Sequence, residues 1–327
     1  NSDISEKDAL ESDDIFRIAS MTKPIVSVAL MMLHEEGKFN LNDPVYKYIP
    51  EFKNLTVKKR KKTKPVKNHV KIIDLLRHSA GLNFKGPDDY RKVIDLSLEE
   101  YTKESIKSPL KFEPGTTWWY SYATDICGYL IEVLSQEKLD VFLKSRIFDP
   151  LEMNDTFFEL PNSKLDRLTT LYVVDENKEL VSFDNKTNTP FKDKVILLNG
   201  SGGLLSTTDD YLKFSFMLLN NGLYNEKQII KKETLDLMKE DHSLGLKYKK
   251  LAFGKKKGFG LGFEVVKEDG TKFGSKGTFG WGGMFGTYFR VDPKENMVFM
   301  YMTQSFETYK LKLAEKFRAL VYESIIE

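Results

Sequence analysis

Residues 14–37 read DIFRIASMTKPIVSVALMMLHEEG. Asp14 to Ala19 alternate as a short strand does on leaving a sheet. Ser20 suits the N-cap of a helix opened by Met21, Thr22, Lys23 and Pro24, since proline is tolerated in a first turn. From Ile25 to Leu33 only Ser27 is polar, so the helix is expected to be buried on every side and to stop near Gly37. Such a helix centres a domain. The run is far shorter than the roughly 20 apolar residues of a membrane span.

Around this helix the 327-residue chain divides by texture. Apolar spacing and flanking breakers predict helices at 70–77, 97–108, 122–136, 138–147, 206–221 and 231–240. After about residue 255 the pattern turns to glycine-punctuated alternation, with strands expected at Phe259–Val266, Thr278–Trp281, Thr287–Val291 and Met297–Met302. The turn Asp292-Pro293-Lys294-Glu295-Asn296 joins the last two as a hairpin. A final helix is expected over 307–325. The expected fold is therefore α/β in the α+β sense: an antiparallel sheet flanked by helices, formed by both chain ends around a largely helical insertion. Residues 1–19 and 255–327 would form the sheet domain with its C-terminal helix, residues 20–254 the helical one, and the active site would lie between them.

Composition excludes several function classes. The 50 Lys and Arg nearly cancel the 48 Asp and Glu, which argues against a dedicated nucleic-acid or membrane-surface binder. The basic run KKRKKTKPVK at 58–67 reads as a hydrated surface loop, with a localisation signal or anionic docking patch as the alternative. One Cys and four His supply neither a disulfide framework nor a Cys-rich zinc site, and no HExxH occurs, so no metal or cofactor is implied. Cys127 reads as core, and a reducing or cysteine-indifferent, intracellular or organellar compartment fits. The chain opens at Asn1 with neither an initiator Met nor a signal-peptide pattern, as a processed product would. Oligomeric state is not encoded in these features.

No Ser lies in a GxSxG elbow and no glycine pattern fits a phosphate-binding loop. What remains is Ser20-Met21-Thr22-Lys23. Residues three apart share a helix face, so the hydroxyl and the amine would enter one site. A serine hydroxyl is a poor nucleophile until a neighbour takes its proton, and a helix N-terminus offers N–H groups to an oxyanion. For Lys23 to serve as a neutral base, its pKa must fall from about 10.4 to near 7, at a cost of about 4 kcal/mol. The alternative is a charged Lys23 that stabilises a Tyr phenolate. S-x-x-K alone also fits a plain N-cap serine beside a surface lysine, and Ser135-Gln136-Glu137-Lys138 repeats the pattern at a polar helix end.

Two more segments could join Ser20. In Thr117-Trp118-Trp119-Tyr120-Ser121-Tyr122 a phenol held ahead of a buried helix could relay a proton, or the aromatics could simply be core or pocket wall. In Gly280-Trp281-Gly282-Gly283-Met284 glycines within a strand mark the close approach of a ligand or another backbone, or a bulge.

Taken together, Ser20-x-x-Lys23, Tyr120-Ser121-Tyr122 and Trp281-Gly282-Gly283 resemble, in order and spacing, the S-x-x-K, Y-x-N or Y-S-x and K-T-G or W-G-G elements of the serine β-lactamase-like superfamily. LLRHSAGL at 75–82, SGGLLSTTDDY at 201–211 and GTYFRVDPKENMVFMYMTQ at 286–304 are similar to its branch of class C-related esterases, the family VIII carboxylesterases. The resemblance covers essentially the whole chain. It implies that Ser20 is the acylated nucleophile, Lys23 its base or electrostatic partner and Tyr120 the proton relay. The N–H groups of Ser20 and Met284 would form the oxyanion hole, with Trp281, Gly282, Gly283 and Tyr122 around the substrate.

Three positions depart from the family pattern. Trp281 stands where β-lactamases and DD-peptidases usually carry a lysine that helps to bind the substrate carboxylate, which favours a neutral ester. Tyr122 replaces the Asn of Y-x-N, again as in the esterases. Only 19 residues precede Ser20, where the family usually has a helix and two strands, so the sheet is expected to be incomplete. The resulting expectation is a serine hydrolase acting on a small ester or amide. A β-lactamase or D-amino-acid peptidase is the alternative on the same fold, and a non-catalytic scaffold or assembly protein the alternative of another class. His78-Ser79 is expected to be structural, and His34, His69 and His242 lack metal-site surroundings.

Overall fold

A computed structural model describes residues 2–4, 9–60, 62–82, 94–248, 256–269 and 274–325. Its centre is helix α1 (Thr22–Glu35), with every residue from Thr22 to Leu33 buried. The all-round apolar sequence therefore does what it predicts: each fully buried Ile, Val or Leu contributes about 1.5–3 kcal/mol, and no face is left for water. The helix ends as expected at Gly37, whose φ of +71° suits a residue without a Cβ, with its N–H on the His34 carbonyl at 3.0 Å. Helix α2 (Ala123–Ser135) packs along α1 and is stopped by Gln136 in the left-handed conformation, φ +63°.

The C-terminal region builds a five-stranded antiparallel meander in sequence order. Its strands are β3 (Lys257–Phe259), β4 (Glu264–Val266), β5 (Phe279–Gly283), β6 (Thr287–Asp292) and β7 (Met297–Tyr301). Two short strands come earlier in the chain, β1 (Phe16–Arg17) and β2 (Leu205–Ser206). Register places Trp281 opposite Phe289 and Gly282 opposite Tyr288, so alternate residues divide between two faces. Phe279, Phe289 and Val291 pack into the main core, where α3 (Thr208–Leu219) brings Tyr211 edge-on to Phe289 at 4.9 Å. The other face is covered by α4 (Leu313–Glu323), whose Tyr322 meets Phe299 edge-on at 5.7 Å and donates to Asp292 at 2.6 Å.

The mixed antiparallel fold is the expected one, with five local differences. Phe259–Val266 is two strands rather than one. Gly262 turns the chain at φ +98°, and a Cβ there would lie 2.4 Å from Ser27 Oγ of α1. The final helix breaks at Lys312, φ +53°, into Glu307–Leu311 and α4. The basic run is a hairpin, Thr56–Lys59 against Lys62–Pro65, rather than an irregular loop. Its described side chains after Val57 stay exposed, which keeps the like charges hydrated. β1 pairs with β2 and not with the C-terminal meander. Lastly, Ser20 is not a side-chain cap: it lies in a 3-10 turn, Ala19–Met21, ahead of α1. Among the described residues no helix is long and apolar enough to cross a membrane.

A buried cation fixes the approach to Ser20. Arg17, 2% exposed, sends Nε and Nη2 to the Asp184 carboxylate and Nη1 to the Thr169 carbonyl at 2.7 Å. Gln304 joins the backbone on both sides, accepting from Arg17 N–H at 3.0 Å and donating to the Arg17 carbonyl at 3.2 Å. Removing one partner of such a pair strands the other charge. Arg17→Leu is therefore expected to cost about 3–5 kcal/mol in urea denaturation; a loss below about 1 kcal/mol would show that the pair carries no structural weight.

Candidate active site

Ser20 enters on a strained turn. Ala19, just before it, has φ +45°, a conformation that costs a non-glycine residue of order 1 kcal/mol and is found where surroundings hold it for a purpose. Those surroundings are specific. Ile18 N–H bonds the Leu204 carbonyl at 3.2 Å, Thr22 Oγ1 accepts from Leu204 N–H at 3.1 Å, and Tyr211 OH donates to the Met21 carbonyl at 2.8 Å. The Ser201-Gly202-Gly203 loop and α3 thus hold the turn from below, while the Ser20 side chain stays partly accessible.

On the other side the glycine strand closes in. A Cβ on Gly283 would lie 2.3 Å from the Ile18 carbonyl oxygen and 2.2 Å from Thr287 Oγ1, which itself donates to Ile18 O at 3.1 Å. The expected close approach of another backbone is therefore met at Gly283, and the partner is the chain leading into Ser20. Gly282 is less constrained, with Thr287 O at 3.2 Å from its Cβ position. Met284 follows in a turn closed by Gly286 N–H on the Gly283 carbonyl at 3.1 Å, and its side chain is exposed.

Lys23 gathers the other groups. Its Nζ is 3.3 Å from Ser20 Oγ, donates to the Ser201 carbonyl at 2.5 Å and lies 4.7 Å from the centre of the Tyr120 ring. The side chain is only 5% exposed, so an i, i+3 pair that spacing alone leaves ambiguous is here turned inward. Trp281 Nε1 donates to the Tyr120 oxygen at 3.3 Å, with ring centres 5.4 Å apart. Ser20, Lys23, Tyr120 and Trp281 are brought together from three separate stretches of chain. Trp118 is buried beside Tyr120 and Phe259, as core; Tyr122 is half-buried at the N-cap of α2, its phenol pushed up by burial and by the charge of Asp125.

Two supporting groups are not readable from motif spacing. Asp125, on the buried face of α2, accepts the Ser201 N–H at 2.8 Å and so fixes the carbonyl that receives Lys23. Burial pushes its carboxyl up to about 6 against the opposing pull of Lys23 and of the Ser201 and Gly200 N–H groups. An acidic residue between Ala123 and Ile126 on a helix expected to be buried is the signal that could have drawn attention to it. His78, fully enclosed, meets Tyr120 at 4.9 Å and Phe259 at 5.3 Å. Burial first and Lys23 second lower its pKa well below the usual value, so its imidazole is neutral. Ser79 donates instead to Asp74 at 2.7 Å, so the adjacent His and Ser serve packing, as expected. The second S-x-x-K also resolves as structure: Ser135 Oγ donates back to the Ile131 carbonyl at 2.7 Å.

The profile of the beta-lactamase family matches residues 2–323. Protein Rv1367c of Mycobacterium tuberculosis is 30% identical over 323 residues, covering 92% of this chain and 80% of its own. Esterase EstB of Burkholderia gladioli is 31% identical over a shorter stretch, 46% of this chain and 40% of that one. Among solved structures EstCE1, described as a hydrolase with promiscuous acyltransferase activity, superposes with a TM-score of 0.80 over 98% of this chain and 88% of its own at 23% identity, a likeness of fold. On the match over nearly its whole length, the chain belongs to the beta-lactamase family.

Proposed function

We propose that this protein is a serine hydrolase, an esterase that works through an acyl-Ser20 intermediate on a small ester or amide. The observation that carries the reading is the convergence on one amine: Lys23 Nζ stands 3.3 Å from Ser20 Oγ and 4.7 Å from the Tyr120 ring centre. Ser20 Oγ attacks the carbonyl carbon while its proton passes into the Lys23–Tyr120 pair. The N–H groups of Ser20 and Met284 hold the oxyanion, and Tyr120 returns the proton to the leaving alcohol or amine as the C–O or C–N bond breaks. Water then attacks the acyl-serine by the reverse path and frees the acid. Asp125 acts through the Ser201 loop, positioning the carbonyl that aims Lys23.

The preference for a neutral ester rests on Trp281. Its indole packs beside Tyr120, to whose oxygen its N–H is given, and presents an apolar wall at the strand position where a carboxylate-bearing β-lactam or peptide would meet a lysine. The esterase relative EstB supports the same choice.

Ser20→Ala is expected to lower kcat/KM for a short-chain nitrophenyl ester by at least about 10³-fold. The unaltered enzyme should turn over that ester at least about 100-fold better than a chromogenic cephalosporin. Undiminished ester hydrolysis in Ser20→Ala would remove the nucleophile, and the reverse preference would make the protein a β-lactamase. Tyr120→Phe should cost about 10²–10⁴ in kcat with KM little changed, as for loss of a proton relay; a change confined to KM would make Tyr120 only a binding wall. Asp125 gives a pH test. Its carboxyl titrates near 6 when folded and near 3.8 otherwise, so its contribution favours the fold below about pH 4 and is lost as pH rises through 6, by about 3 kcal/mol. Urea denaturation should show Asp125→Asn gaining on the unaltered protein by most of that amount between pH 4 and pH 7. A difference independent of pH would contradict the raised pKa.

A further inference from the structure

Like charges set directly opposite each other across a hairpin destabilise it, yet the basic run folds into such a ribbon. Lys59 stands opposite Lys62, with Lys58, Arg60 and Lys64 around them, and all five are exposed. The base of the ribbon is anchored: Val57 is buried in the main core, Lys58 N–H donates to the Leu110 carbonyl at 2.8 Å and Leu110 N–H to the Thr56 carbonyl at 2.7 Å. Among the described residues none of the five side chains has an ion pair or a hydrogen-bond partner. Glu51, just ahead of the hairpin, pairs with Lys103 at 3.1 Å, and Glu113 takes the Lys67 backbone N–H at 2.9 Å.

Folding preferences do not account for these residues. A two-residue connection between paired strands favours Asn-Gly, yet Arg60 enters it at φ +57°. Lysines and a proline on an outer edge prevent unwanted strand pairing, which explains Lys62, Lys64 and Pro65 on the second strand. It does not explain Lys58 and Lys59, whose strand has Leu110 along its other side, nor Arg60 at the turn. A charge density that local structure opposes is expected where a chain meets something outside itself.

The surroundings of the run narrow the partner to an anionic plane. Residues 58–65 hold no aromatic or large apolar side chain, so they offer no platform for stacked bases and no pocket for a peptide anchor. An added strand would find little to pair with. Lys58 N–H points away from the second strand, so by alternation the outward backbone groups there are those of Thr63 and Pro65, and proline has no N–H. Without the cations of this one run the chain is net acidic, which disfavours a long polyanion tracking over its surface. A charged plane differs, because its potential falls off within about a Debye length and reaches the exposed ribbon alone. We propose that this hairpin holds the protein on an anionic lipid bilayer by electrostatic attraction, without insertion. Lysine, a hydrated point charge on a flexible stem, suits such diffuse head-group charge.

The test is co-sedimentation of the full chain with sucrose-loaded vesicles in about 0.1 M sodium chloride, phosphatidylcholine alone against phosphatidylcholine with about 30 mol% phosphatidylserine. Half of the protein should bind the phosphatidylserine vesicles at or below about 1 mM lipid, with affinity for phosphatidylcholine at least about 10-fold weaker. Raising the salt to about 0.5 M should release it. Lys59→Gln combined with Lys62→Gln removes a repelling pair, so Tm should not fall, and binding should weaken at least about 10-fold. Lys144→Gln combined with Lys232→Gln removes the same charge from exposed sites elsewhere and should weaken binding less than about 3-fold. No dependence on phosphatidylserine, or equal losses in the two double variants, would overturn the proposal. Tighter binding to a DNA duplex or to polyglutamate, measured by fluorescence anisotropy in the same salt, would overturn it as well.

Discussion

The amine of Lys23 is buried at the head of a helix with no polar face, and everything around the candidate site answers that constraint. An amine taken out of water needs partners, and here they come from elements far apart in sequence: the Ser201 carbonyl, the Ser20 hydroxyl and the face of Tyr120. Asp125, in the first turn of α2, accepts the Ser201 N–H and adds a negative charge nearby. The groups that satisfy Lys23 are the ones an acyl-transfer mechanism would use, so stability and chemistry at this site draw on the same contacts.

The turn that presents Ser20 depends on pressure from two sides. Gly283 admits the Ile18 carbonyl at a distance that no side chain would allow, and the loop ahead of β2 together with Tyr211 of α3 braces the opposite side. Arg17 and Gln304 anchor the chain just before the turn. The positive φ of Ala19 is thus held by packing on both flanks, and its modest strain is offset by contacts that reach the sheet, the central helix and α3.

The central helix, the meander and the approach of the glycine strand to another backbone were legible because each is written in local pattern: an unbroken apolar run, period-two alternation, glycines where a strand should be filled. Ser20 and Lys23 could be paired because three residues is one helical face, and Tyr120 and Trp281 because their motifs follow in order. The rest was hidden for identifiable reasons. The Ser201 carbonyl is a backbone atom with no side-chain signature, and it meets Lys23 across 178 residues. Arg17 meets Asp184 across 167. The break between β3 and β4 follows from the contact of Gly262 with Ser27, which no window of sequence contains. The capping role suggested for Ser20 gave way because the chain makes a 3-10 turn first, which frees the hydroxyl from the backbone and leaves it for Lys23.

The measurement that bears most directly on this account is intact-mass spectrometry, with peptide mapping, of the protein quenched in acid seconds after mixing with a short-chain nitrophenyl ester. The account predicts a mass increase equal to one acyl group, confined to the peptide that contains Ser20. An acyl group on a different residue, or turnover of the ester with no covalent adduct at any quench time, would contradict it.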